Sequence, residues 1–272
     1  MVETSDISVA DWLDRVLAAG RYSFSKEALQ SELPEYSDIA VKRALNRLSI
    51  KGKVLSISKG YYLIIPPQYA SNGILPPHLY LDAFMKYLDR PYYLGLLNAA
   101  VFFGSAHQKP QEYYVFTSFP VLRPTKKKGT KINYVSIKGI PEKLLKKQKT
   151  EAGYLQISNE VLTACDLIQY EKRIGGINRA VAVLLELTEV IRVESFTPEL
   201  LQHTHVTALQ RLGYLLEEVC QNKLLSNALY EALQKQGRQL FRIPLKPGKR
   251  TKGYSSANRW NVIVNVQIET DE

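Results

Sequence analysis

Apolar positions near the start of the chain recur with helical spacing. Val9, Trp12, Leu13, Val16 and Leu17 follow Ser8 at three- and four-residue intervals, and Gly20 ends the run. This pattern predicts a first helix capped by Ser8. Ser25, with Glu27 and Leu29 behind it, predicts a short second helix that stops near Leu33-Pro34. Ser37 caps a third, closed by Gly52, in which Val41, Leu45 and Leu48 form one inward stripe. The opposite side of that helix carries Lys42, Arg43, Asn46 and Arg47. The pairs Lys42/Asn46 and Arg43/Arg47, four residues apart, stack along one face. Lys51 lies just beyond it. Residues 53–57 and 61–65 then read as two strands joined by the turn Ser58-Lys59-Gly60. Three helices followed by a hairpin is the order of a winged helix-turn-helix, in which the third helix enters the major groove. Ser37, Lys42, Arg43, Asn46, Arg47 and Lys51 are therefore the expected contacts of the reading helix, and Lys59 and Tyr61 those of the wing.

Two proline pairs, Pro66-Pro67 and Pro76-Pro77, are unsuited to the interior of regular structure. They predict a domain over residues 1–67, a proline-rich linker over 68–77 and a larger domain over 78–272. Within the latter, a helix is expected over 79–89. The apolar stretch after it, with Gly95, Ala99 and Ala100, is expected to be one closely packed buried helix. Strands are predicted over 112–118 and 131–137, separated by a basic turn over 123–129. Further helices are predicted over 161–170, 178–187, 206–221 and 226–236, and a closing strand over 260–268. The fold class is α+β, or mixed helix and sheet.

Composition adds a charge argument. The 272 residues carry 36 Lys and Arg against 26 Asp and Glu, a formal net charge of +10. That excess favours an anionic partner, nucleic acid first. Its distribution is uneven. Residues 1–70 hold nine basic and eight acidic side chains, whereas residues 123–149 hold ten basic and one acidic, and residues 237–260 seven basic and none acidic. No apolar run is long enough to span a membrane. The opening MVETSDIS has neither a basic nor an apolar leader, so no secretory signal is expected. Cys165 and Cys220 sit among helical apolar residues and read as buried thiols, which fits a reducing, cytoplasmic location.

Catalytic patterns are weak. Four histidines occur, at 78, 107, 203 and 205, and His203-Thr204-His205 lacks the ligand spacing of a metal site. His107 could serve as a base, but a helix-end histidine bonded to a backbone carbonyl is the plainer reading. Gly248-Lys249-Arg250 lacks the upstream glycine and the following hydroxyl of a P-loop. Gly104-Ser105 echoes the start of a nucleotidyltransferase motif, yet only Glu112 follows where paired carboxylates would hold two metal ions. Neither an enzymatic activity nor a cofactor or metal is expected.

The run YYLGLLNAAVFFGSAHQKPQEYYVFT (residues 92–117) resembles the signature of AbiEi-type antitoxins of type IV toxin–antitoxin systems. The segments TACDLIQYEKRIGGINRAVAVLLELTE (163–189) and RWNVIVN (259–265) agree with it. The resemblance implies a repressor whose winged helix binds inverted repeats in double-stranded DNA upstream of its own operon. It also implies a second domain that counters a nucleotidyltransferase-like toxin without a stable complex. In that family both domains offer positive surface to DNA, so Lys126, Lys127, Lys128, Lys249, Arg250 and Lys252 become expected phosphate contacts. The alternative is a protein- or RNA-binding module that neutralises its toxin directly, with the winged helix secondary.

Overall fold

The computed structural model describes residues 7–105, 110 and 112–269. They form two compact units. The first comprises Met1–Tyr92, Gln111–Ile140 and Lys147–Gln156, and the second Tyr93–Pro110, Pro141–Lys146 and Ile157–Glu272.

In the first unit the order is α1 (Val9–Ala18), β1 (Ser23–Ser25), α2 (Lys26–Glu32), α3 (Asp38–Ile50), β2 (Val54–Ser58) and β3 (Tyr61–Ile64). The hydroxyls of Ser8, Ser25 and Ser37 each accept a backbone N–H in the first turn of the helix that follows. The three caps expected from sequence are thus formed, each satisfying a donor that the helix itself leaves unpaired. The apolar stripes of the helices meet in one core around Trp12, Leu13, Phe24, Leu29, Val41 and Leu45. Trp12 packs edge-on to Phe24 at 5.2 Å and donates its indole N–H to Glu32. A strand that the sequence reading did not anticipate, β1, pairs antiparallel with β3, giving a sheet of order β1-β3-β2.

The stretch between the proline pairs is packed. Short 3-10 turns open on Pro67 and Pro77, and Ile74 and Leu75 are buried. Helix α4 (Leu81–Tyr87) follows. After β4 (Tyr92–Leu94) and α5 (Leu97–Ala100), this unit resumes with β5 (Glu112–Ser118), β6 (Thr125–Lys127) and β7 (Thr130–Ile137). These three lie in the order β6-β7-β5. Strand β7 is parallel to β5, from Glu112↔Lys131 to Ser118↔Ile137, and antiparallel to β6. The expected basic turn over 123–129 therefore contains the strand β6. Only Lys128 and Gly129, both at positive φ, make the reversal. In β7, the consecutive residues Ile132, Asn133, Tyr134 and Val135 are all buried.

The second unit corrects another expectation. The apolar run from Tyr92 is not one helix but β4, the four-residue α5 and a 3-10 turn at Val101–Phe103. Leu96, at φ +56°, interrupts the chain between strand and helix. Leu94 of β4 pairs in parallel with Ile157 of β9 (Gly153–Ser158), and β9 neighbours β8 (Leu145–Thr150). Neither β8 nor β9 was anticipated. Helices α6 (Glu160–Gln169), α7 (Ile177–Leu187), α8 (Pro198–His203), α9 (Val206–Tyr214) and α10 (Lys223–Lys235) build the core, with one π turn at Leu215–Val219. The closing strand shrinks to β11 (Val262–Ile263), parallel to β10 (Ile243–Pro244).

The RWNVIVN segment is a clasp within this unit. Trp260 is fully buried, donates its indole N–H to Glu217 at 2.6 Å and lies against Gly213, where a Cβ would overlap the indole ring. Arg259 bonds Glu217, Ser226 and Asn227 and stacks on Tyr230. Its conspicuous residues therefore serve packing.

Candidate nucleic-acid interface

Helix α3 is buried along Val41, Ala44, Leu45 and Leu48, so Lys42, Arg43, Asn46 and Arg47 are left exposed. Among the described residues the side chains of Arg43, Asn46 and Arg47 make no hydrogen bond or ion pair, which leaves their donors available to base edges. Lys42 differs. Its ammonium pairs with Asp38, one turn earlier, at 2.7 Å. Asp38 also accepts from Lys26 and from Gln30. The Lys26 bond, then the Lys42 bond, hold the Asp38 carboxyl down to about 2. The first turn of α3 is thus locally neutral, and the free cations lie further along it. Ser37 is occupied as the cap. Two exposed apolar residues were missed by the sequence reading. Ile39 is 63% and Ile50 79% exposed, on the same face as Arg43 and Asn46. Their failure to fall on the Val41/Leu45/Leu48 stripe was the available signal.

The wing is short. Gly60 takes φ +75°, its carbonyl accepts the Lys26 N–H at 2.8 Å, and a Cβ there would lie 2.9 Å from the Tyr87 hydroxyl. Tyr87 in turn donates to the Lys59 carbonyl at 3.0 Å, so α4 holds the turn in place. Lys59 remains exposed. Tyr61 does not fit its expected role as a wing contact. It is 3% exposed, packs on Phe84 and Tyr87, and shares a hydrogen bond with Ser23 at 2.7 Å. Burial pushes its hydroxyl up to about 12. The irregularity between Ser56 and Ser58 shifts the β2/β3 register beside it.

Lys126, Lys127 and Lys128 are exposed at the edge strand β6 and its turn, within the same compact unit as α3. Lys128 lays its alkyl chain beside Gly73, 3.8 Å from where a Cβ would stand. On the next strand Lys131 is neutralised by Glu112 at 3.0 Å, and Glu112 also accepts from Asn133. The Lys131 bond, then the Asn133 bond, lower the Glu112 pKa. The one carboxylate of the nucleotidyltransferase-like stretch is therefore occupied. Lys249, Arg250 and Lys252 are exposed in the second unit.

Among the described residues no group of three or more His, Cys, Asp and Glu is placed to hold a metal ion. His107 lies outside the described residues. Burial lowers the pKa of His203, and His205 stands exposed ahead of α9. Cys165 is buried and Cys220 half-buried, both free. Burial raises both thiols, that of Cys220 to about 12. No helix among the described residues is long and apolar enough to cross a membrane.

Residues 93–218 match the family model of the AbiEi antitoxin C-terminal domain. Over that span the chain is similar to AbiEi-type antitoxins. No curated protein matches the sequence. Among solved structures, the fold is similar to the crystal structure of the RV2827C protein from Mycobacterium tuberculosis. The TM-score is 0.69 at 17% sequence identity, over 97% of this chain and 95% of that one. At that identity the likeness is one of fold, and it extends beyond the matched antitoxin domain to nearly the whole chain.

Proposed function

We propose that this AbiEi-type protein is a DNA-binding repressor and antitoxin, which binds inverted repeats upstream of its own operon and counters a nucleotidyltransferase-like toxin. One observation carries the DNA-binding half: α3 buries one stripe and leaves Arg43, Asn46 and Arg47 exposed and unpaired on the other. The element order from α1 to β3 supports a winged helix. Arg suits the guanine edge, Asn the adenine edge and Lys the phosphates. Ser37, Lys42, Lys51 and Lys59 then lie where backbone contacts are expected, and Lys126, Lys127 and Lys128 add charge that the near-neutral first seventy residues lack. Lys249, Arg250 and Lys252 extend the same role to the second unit. The antitoxin half rests on the family match.

The test is binding of the full chain to duplex DNA from its own upstream region and to random duplex, over a range of salt. Tighter binding to the upstream duplex, with affinity falling steeply as salt rises, is expected from counterion release. Equal affinity for both duplexes would overturn the repressor reading. Co-expression with the protein encoded beside it tests the antitoxin half: growth arrest by that protein should be relieved by this chain.

A further inference from the structure

Two aromatic rings of the second unit stand in water on backbone that is firmly held. Phe241, just ahead of β10, is 49% exposed, and Tyr254, ahead of β11, is 47% exposed. A single exposed ring is ordinary. These two differ in what lies beneath them. Gln210, fully buried on α9, accepts the Phe241 N–H at 3.2 Å and donates to the Phe241 carbonyl at 2.7 Å. The same amide donates to the Trp260 carbonyl at 2.6 Å. The Tyr254 N–H reaches the Thr251 carbonyl at 3.3 Å, and the carbonyl of the next residue, Ser255, accepts the Val264 N–H at 3.1 Å. Arg242 Nε donates to Ser256 Oγ at 3.0 Å. That bond ties the residue after Phe241 to the one two beyond Tyr254, so both rings belong to one patch.

The patch is cationic throughout. Residues 237–260 hold seven basic side chains and no acid. Arg259 is neutralised by Glu217, and Arg238 donates to the Leu201 carbonyl. Arg242, Lys249, Arg250 and Lys252 are exposed, and among the described residues none of them makes an ion pair. The charge calls for a polyanion. Lys249, Arg250 and Lys252 neutralise the phosphates of a duplex as readily as those of a single strand, so they do not decide between the two. The rings do. In a duplex each base face is covered by its neighbours, which leaves Phe241 and Tyr254 nothing to stack on. Unpaired bases offer their faces to aromatic side chains while the phosphates track the cations. Such bases belong chiefly to the loops and ends of RNA.

We propose that this patch binds an unpaired segment of RNA, with bases stacked on Phe241 and Tyr254 and phosphates held by Arg242 and Lys252. The inference is independent of the winged helix, which lies in the other unit.

The test is fluorescence anisotropy of the full chain with a labelled oligouridylate of about twelve nucleotides, within the usual span of such sites, and with an RNA duplex of the same length. The single strand should bind more tightly than the duplex. Phe241→Leu combined with Tyr254→Leu keeps apolar bulk but removes both rings. It should weaken oligouridylate binding on the order of tenfold or more, the loss expected when stacking is removed. Affinity for duplex DNA should stay as in the wild type. Phe241→Tyr combined with Tyr254→Phe keeps both rings and should keep the single-strand affinity. Thermal melts establish that each variant is folded. The proposal is overturned if oligouridylate binds no more tightly than the RNA duplex, as a surface built to dock protein would show. It is equally overturned if the leucine variant binds the single strand like the wild type, or loses duplex DNA to the same degree. Loss of single-strand binding in the ring-exchanged variant would also overturn it.

Discussion

Ile39 is 63% exposed on α3, four residues before Arg43 and seven before Asn46. An exposed β-branched residue on a groove-facing helix is suited to contact a thymine methyl. We therefore expect Ile39→Ala to lose about tenfold preference at one A·T position of the bound site. Replacing that thymine by deoxyuridine should reproduce the loss in the wild type and add nothing in the variant. An unchanged preference would remove Ile39 from the reading face. A second residue-scale prediction concerns Asp166, buried in the other unit, whose carboxyl accepts the Tyr93 hydroxyl at 3.0 Å. Burial pushes its pKa up to about 8, from an ordinary 3.8. Between those values the folded chain holds a proton that the unfolded chain releases, so stability falls as pH rises from about 4 to 8. Asp166→Asn removes that group and should flatten urea-denaturation midpoints over this range; an identical pH slope in both proteins would contradict the assignment. The exposed face of α3 was legible because helical periodicity separates inward from outward positions. Tyr61 was not, because its side of the hairpin depends on an irregularity in β2 that no periodicity encodes.

At the scale of elements, the same contrast recurs. The caps at Ser8, Ser25 and Ser37 and strand β5 could be read from local chemistry. The run from Tyr92 to Ala100 could not, since every residue in it is buried and a stretch buried on all sides carries no period to distinguish strand from helix. Strands β8 and β9 escaped because LKKQKT and GYLQIS are partly exposed and short. One approach between elements is unforgiving. Helix α9 meets the final segment through Gly213, against which Trp260 lies. Gly213→Ala should destabilise the second unit by about 1–3 kcal/mol or more, the cost of overpacking. A melting temperature equal to the wild type would contradict it. Strand β6 makes a different prediction. Neutralising Lys126, Lys127 and Lys128 together should weaken binding to upstream and random DNA alike. It should also reduce the salt slope by roughly one for each phosphate that a lysine no longer neutralises. Retention of the full slope would exclude the strand from the interface.

For the whole molecule, the charge distribution and the family match bear on the same question. The first seventy residues are almost neutral, so a winged helix there selects more readily than it attracts. The compact unit that contains it also contains Lys126, Lys127 and Lys128, and so carries its own source of attraction. The segment that matches the antitoxin family model was legible through motif resemblance. The claim that α3 chooses the site is tested most directly by the ratio of affinities for upstream and random duplex, measured for the wild type and for Arg43→Ala combined with Arg47→Ala. The account predicts that this ratio falls by about 1–3 kcal/mol for each base contact, while the three lysines of β6 and its turn preserve most of the non-specific affinity. A ratio unchanged by the double substitution would contradict it.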